Sequence, residues 1–212
     1  MALVDLTEIR AREPHRIADG WAARTRRPLL GADGRLLLVA ADHPARGALG
    51  VRSEGMAMAS RPALLERLAT ALSRPGVDGV LGTPDILDDL LLMGVLDDKL
   101  VIGSMNRGGL QGASFELDDR FTAYGADEIA ARGLDGGKML TRICLADPGT
   151  VATLESTGQA VSRLAEHRLM AMVEPFMSVT DGGRVTNLLT RRARSGPCTS
   201  PRDWGPAVPT PG

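Results

Sequence analysis

Cysteine, lysine and long apolar runs are all scarce in this chain, and each scarcity excludes something. Two cysteines, Cys144 and Cys198, are too few for the disulfide framework of a small secreted domain, so a reducing compartment is expected. No apolar run reaches the roughly 20 residues that a bilayer-spanning helix needs. The opening MALVDLTEIRAREPHR puts acids and arginines where a secretory signal would carry its apolar stretch. These features predict a cytoplasmic protein with no membrane partner. A net charge of −1 argues against a surface that binds polyanions by bulk charge, so no nucleic-acid partner is expected. No GxGxxG follows a strand and no GxxxxGK[ST] occurs, which leaves a nucleotide cradle without support. His15 and His167 have no partner at metal-ligand spacing, so neither a metal nor a cofactor is expected. Of the 25 basic residues, only Lys99 and Lys138 are lysine, so any mechanism that needs an amine has two candidates.

What is present is an ordinary globular composition. The 212 residues, 43% apolar and 24% charged, suffice for a sizeable core in one large domain or two small ones. Short apolar runs at 35–41, 78–82, 100–103, 137–143 and 169–173 read as buried strands. Between them lie helical patterns. Leucines 64, 65, 68 and 72 form a stripe after Pro62, and Thr83-Pro84 opens a helix carrying Ile86, Leu87, Leu90 and Leu91. Residues 126–132 form a short helix, and Asp147-Pro148 opens one with Val151, Leu154, Val161 and Leu164 on its apolar face. Strands alternating with helices predict a parallel α/β sheet. Each strand ends in a polar residue, namely Asp42, Thr83, Ser104, Arg142 and Glu174. In a (β/α)8 barrel those ends form the catalytic face. Five to six strand–helix units are too few to close such a barrel, so an incomplete TIM barrel is expected over residues 1–190, followed by an irregular tail over 191–212.

The strings LLLVAADHPARG, GGKMLTRICLADPGT and LMAMVEPF together resemble the class I aldolase superfamily of (β/α)8 barrels. They are most similar to a deoxyribose-phosphate-aldolase-like family associated with inositol catabolism, and more distantly to tagatose-bisphosphate aldolase. The resemblance implies a lyase of carbohydrate metabolism that uses a Schiff base and no metal, on a small phosphosugar or inositol-derived sugar acid. In such a family the chain continues into a strand resembling IASGLGTTSAYTWLK, whose lysine looks like the covalent residue. Residues 199–212 can be back-translated with permitted codons so that another frame reads IASGLGTSSAYTW. The tail is therefore expected to be frame-shifted near residue 190, leaving a truncated, poorly active chain whose partner, if any, is a homo-oligomer.

The residues themselves nominate a site. Lys138, Leu140 and Arg142 alternate along one strand, so they share a face. If that face is the barrel interior, two cations enter it, and Lys138 is either a nucleophile or an electrostatic substrate contact. Lys99 precedes its strand on the opposite, solvated end. Asp42 resembles the family's first-strand aspartate, a proton carrier, and Glu174 ends the fifth strand as a second carboxylate. His43, Arg46, Arg107 and Arg142 are the substrate-binding candidates, with the arginines suited to an anionic group. Two alternatives stand beside the Schiff-base lyase. One is an inactive barrel fragment, and the other is a barrel lyase or isomerase that uses Asp42 and Glu174 as an acid–base pair.

Overall fold

Alternation of buried strands and half-buried helices sets the architecture seen in the computed structural model, which describes residues 5–31, 34–110, 113, 120–181 and 184–188. Two helices come first, α1 (Leu6–Arg12) and α2 (His15–Ala23). Strand β1 (Leu38–Ala41) leads into a 3-10 turn (His43–Arg46) and then α3 (Arg61–Leu72). There follow β2 (Gly79–Gly82), α4 (Pro84–Leu92), β3 (Leu100–Ser104), α5 (Ala126–Ala131) and β4 (Gly136–Ile143). The described chain closes with α6 (Gly149–Glu166), β5 (Met170–Asp181) and β6 (Arg184–Asn187).

The strands form one sheet in sequence order, parallel from β1 to β5 and antiparallel between β5 and β6. The sheet is curled into a half-barrel. In a flat sheet β1 and β4 would stand about 14 Å apart, three intervals of ~4.8 Å. Yet the Asp42 carboxylate, just past β1, meets the Lys138 amine of β4 at 2.7 Å. Upright side chains of those two residues do not bridge the flat distance, so the inner face must be concave. A complete eight-stranded barrel is not present in the described residues, and β6 makes the sheet mixed rather than purely parallel.

The outer face carries the main core. Leu64 and Leu68 of α3, Leu87 and Leu90 of α4, Ile129 of α5 and Leu164 of α6 pack over Val80, Val101 and Met139. Ser60 starts α3 by accepting a hydrogen bond from the Ala63 N–H at 3.4 Å, and prolines occupy the first turns of α3 and α4. Gly79 in β2 is required by close approach, because a Cβ there would lie 2.1 Å from the Leu100 carbonyl oxygen.

Three expectations need correction. Strand β5 does not stop at Val173 but runs on to Asp181, because its second half pairs with β6 through Ser178–Asn187 and its neighbours. The strand's polar Glu174 therefore lies within it. The buried stripe of α6 is Thr150, Thr153, Thr157, Ala160 and Leu164, while Val151 is exposed. Threonine hydroxyls reach backbone carbonyls, as Thr157 does to Thr153 O at 2.8 Å, so they pack like valine once satisfied. Finally, α1 and α2 were not anticipated, and residues 191–212, with the frame-shift expectation they carry, lie outside the described residues.

The segment after α2 crosses the N-terminal ends of the strands. Arg24 donates to the Lys99 and Gly133 carbonyls, both at 2.8 Å, Arg26 meets Asp135 at 3.0 Å and Arg27 meets Asp78 at 2.7 Å. Lys99 belongs to this end, with Nζ 2.7 Å from the Val77 carbonyl oxygen. Among the described residues no helix is long and apolar enough to cross a membrane.

Candidate active site

The opposite end of the strands gathers the titratable groups. Lys138 is the third residue of β4, and its alternation with Leu140 and Arg142 puts all three on the concave face. The register pairs Lys138 with Met172 and Leu140 with Glu174, so Glu174 shares that face. The Lys138 Nζ is 2.7 Å from Asp42 Oδ2 and 2.6 Å from Glu174 Oε2. Lys138 is 3% exposed and Asp42 7%, whereas the Glu174 side chain is 44% exposed at the mouth. The cation expected beside the amine is thus replaced by two carboxylates.

Asp42 is set by β1 and by the turn that follows it. Pro44 favours the tight 3-10 conformation, and Gly47 closes it in the left-handed region at φ 79°. His43 sits on that turn with Nδ1 3.5 Å from Asp42 Oδ1. Burial alone would raise the Asp42 carboxyl. The Lys138 ammonium and its hydrogen bond outweigh this, helped by His43 and Arg46, and hold it below the usual carboxylate range. Burial pushes the His43 imidazole down against the pull of Asp42, with Arg46 and Lys138 adding to the downward shift, so it is neutral at pH 7.

The position of Lys138 is fixed by the loop that follows β3. Past Ser104, the Met105 N–H donates to the Lys138 carbonyl at 2.9 Å. The Asn106 side chain donates to the Leu140 carbonyl at 2.8 Å and accepts from the Leu140 N–H at 2.9 Å. Together they hold the β4 backbone from the Lys138 carbonyl through Leu140. Gly108, at φ 70°, lies on Leu140, where a Cβ would come within 2.5 Å of its side chain. An asparagine directly after an apolar strand was the available signal.

The remaining candidates separate. Arg46 ends the turn near Asp42 and His43. Arg107 does not reach the cluster; it donates to the Ala45 carbonyl at 2.7 Å and to the Thr122 hydroxyl at 3.4 Å, bracing the turn from behind. Arg142 stays on the concave face, half-buried, two alternations along from Lys138. Among the described residues no group of three His, Cys, Asp or Glu side chains could hold a metal ion.

The depressed Asp42 makes a signed prediction. Because its folded pKa lies below the unfolded ~3.9, the stability it supplies is complete above that value and is lost as pH falls through the folded value. Acid unfolding followed by circular dichroism should therefore steepen below about pH 4 in the wild type. Asp42→Asn should lack that component while being less stable at pH 7. An identical acid limb in both proteins would remove the Asp42–Lys138 contact from the stability account.

Comparison with known proteins corrects the resemblance read from the sequence. A family model described as Cgl0159-like matches residues 34–197. Among solved structures the chain is similar to Cgl0159 from Corynebacterium glutamicum, at 57% identity and a TM-score of 0.85, over 88% of this chain and 63% of that one. The chain thus spans less than two thirds of that relative's length. No curated protein matches it. The class I aldolase assignment, its link to inositol catabolism and the deoxyribose-phosphate and tagatose-bisphosphate aldolase likenesses are overturned by these matches. The physical reason lies in the strings themselves. An apolar strand ending in Asp, Arg or Glu is what any curled parallel sheet imposes, with buried strands and a polar mouth, whatever the chemistry. By the extent of the model match and by this identity, the chain belongs to the Cgl0159-like family.

Proposed function

We propose that the Asp42–Lys138–Glu174 cluster is the reacting centre of a lyase or isomerase for a small carbonyl compound of the phosphosugar or sugar-acid class, with Lys138 as an imine-forming amine. One observation carries the reading: a buried amine held between two carboxylates, at 2.7 and 2.6 Å, at the C-terminal mouth of a curled parallel sheet. Taking the sheet as part of a (β/α)8 barrel places the cluster on the face where such barrels react. Two carboxylates beside the amine offer the proton acceptor and donor that imine formation needs.

The step balances as follows. Glu174 takes a proton from the Lys138 ammonium, and the freed amine forms a C–N bond to the carbonyl carbon, whose oxygen takes one of the two protons of the newly bonded nitrogen and becomes a hydroxyl. Glu174 returns its proton to that hydroxyl, which leaves as water, giving the protonated imine. The imine then accepts the electron pair of a neighbouring C–C or C–H bond. Asp42, held anionic, takes the proton of the broken C–H bond or, where a C–C bond breaks, the hydroxyl proton of the departing carbon, which leaves as a carbonyl. Exposure of Glu174 lets it exchange protons with solvent.

A second reading is favoured by the same ion pairs: Asp42 and Glu174 do the acid–base work while Lys138 remains a charged substrate contact. Borohydride reduction separates the two. Incubation with pyruvate, glyceraldehyde 3-phosphate or dihydroxyacetone phosphate, followed by borohydride and peptide mass mapping, should place a stable adduct on Lys138. Turnover of any of these compounds without an adduct would favour the second reading. Neither turnover nor adduct across the panel would reject the proposal.

A further inference from the structure

We infer that Arg46 is an oxyanion anchor, so that the compound reacting at Lys138 carries a carboxylate or phosphate. This deepens the proposed function and rests on it, although the anion site can be tested separately. Arg46 Nη1 is buried and has no hydrogen-bond partner among the described residues. A buried guanidinium N–H with no acceptor is costly, and structures keep few of them. The arrangement around it is built. Arg46 is the last residue of the 3-10 turn, Gly47 closes that turn in the left-handed region, and Arg107 ties it down through the Ala45 carbonyl at 2.7 Å. Asp42 lies within electrostatic reach of Arg46 but is already committed to Lys138. His43, neutral at pH 7, adds no charge beside Arg46. The guanidinium is therefore a cation one turn from Asp42, with its buried Nη1 lacking an acceptor among the described residues.

The chemistry that fits is a planar or tetrahedral oxyanion taking charge-assisted hydrogen bonds from the guanidinium. Its distance along the compound is set by the single turn between Asp42 and Arg46, which suits a short chain with the carbonyl near one end and the anion at the other. Arg107, expected from the sequence to bind substrate itself, becomes a positioning residue for Arg46.

Two measurements test this. In the first, adduct formation at Lys138 is followed with glyceraldehyde 3-phosphate, pyruvate, and glyceraldehyde as the uncharged comparison. The anionic probes should half-saturate at concentrations ~10–100-fold lower than glyceraldehyde, and Arg46→Gln should erase that advantage, so that the anionic probes half-saturate no lower than glyceraldehyde in the same variant. Arg46→Lys should retain part of it. Pyruvate and glyceraldehyde 3-phosphate distinguish a carboxylate from a phosphate preference. An advantage equal in wild type and Arg46→Gln would overturn the inference. In the second, inorganic phosphate is titrated against the thermal midpoint at constant ionic strength, with no carbonyl compound present. A rise in the wild type that is absent in Arg46→Gln supports the anchor even if Lys138 forms no adduct, so failure of the two readings can be told apart. Equal rises in both proteins, or none in either, would reject it. Should Arg46→Gln fold poorly, Arg46→Lys and Arg107→Met carry the comparison.

Discussion

Lys138→Met is expected to abolish borohydride trapping and to lower any turnover by about a thousandfold or more, the scale of losing a group that is both nucleophile and proton carrier. Methionine keeps the length and apolar stem of lysine and removes only the charge and the donors. Its structural cost is separable from its chemical one. Without the ammonium, Asp42 is a buried carboxylate that keeps only His43 and Arg46 nearby, and breaking a buried pair typically costs about 3–5 kcal/mol. The carboxyl then rises in pKa, because the charge that depressed it is gone while the burial remains. Stability of the variant should accordingly recover as pH falls from 7 towards 5, a range over which the Asp42 contribution to the wild type stays constant. The double variant Asp42→Asn/Lys138→Met, with no buried charge left to pair, should return most of the stability and none of the trapping. Urea denaturation at the two pH values, beside the trapping assay, reads both effects. Trapping of Lys138→Met at the wild-type rate, or an adduct mapped to Lys99, would sink the assignment of the amine.

Asp89→Ala is expected to give the largest loss of stability away from the site. Asp89 is 2% exposed on α4, and its two oxygens divide between two arginines. Oδ1 accepts from Arg10 Nε at 2.9 Å and Nη2 at 2.7 Å, and Oδ2 accepts from Arg61 Nε at 2.9 Å and Nη2 at 2.5 Å. One carboxylate therefore joins α1, α3 and α4 through paired, fork-like contacts. Alanine removes all four of these bonds and leaves Arg10 only the Asp85 carbonyl at 3.0 Å and a longer approach to Asp88 at 3.9 Å. Because both arginines are partly exposed and reach water, about 3 kcal/mol is expected rather than the full cost of an orphaned buried charge. Arg61 keeps Asp85, so most of the loss should fall on α1, and hydrogen exchange should quicken there first. A change of less than about 1 kcal/mol, with α1 protection intact, would show that the network adds little beyond the apolar contacts beneath it.

The sequence was legible where one period dominated. Strands β1 to β4 and helices α3 to α5 follow from short apolar runs and leucine stripes, with ends misplaced by a few residues where a polar residue happens to pair. Lys138, Asp42 and Glu174 could be named because strand alternation and polar strand ends are local features. Their convergence was not legible, since it depends on the curl of the sheet, a sum of small twists that no single residue encodes. The threonine stripe of α6 was missed because hydroxyls count as polar until their backbone partners are known. The second half of β5 was missed because its pairing partner, β6, has no apolar run of its own to mark it as a strand. Asn106 was hidden for a similar reason, since its partner Leu140 is 34 residues away and is held through main-chain atoms. The family resemblance failed for the opposite reason: the strings behind it reported architecture too faithfully to report chemistry.

The arginines that follow α2 have a consequence for biosynthesis. Arg24 binds the Gly133 carbonyl and Arg26 binds Asp135, each across 109 residues of chain. At ribosomal speeds of about 5–20 residues per second, the N-terminal segment leaves the tunnel some 5–20 s before these partners exist. During that interval Trp21 and the apolar side of α2 have no strand ends to close over, and their contacts with Asp88 and α4 form only after residue 88 has emerged. The segment around α2 is thus among the last to be seated although it is made before its partners, and a nascent chain stalled before β4 would present α2 and its arginines to whatever else is in the cell, chaperones included.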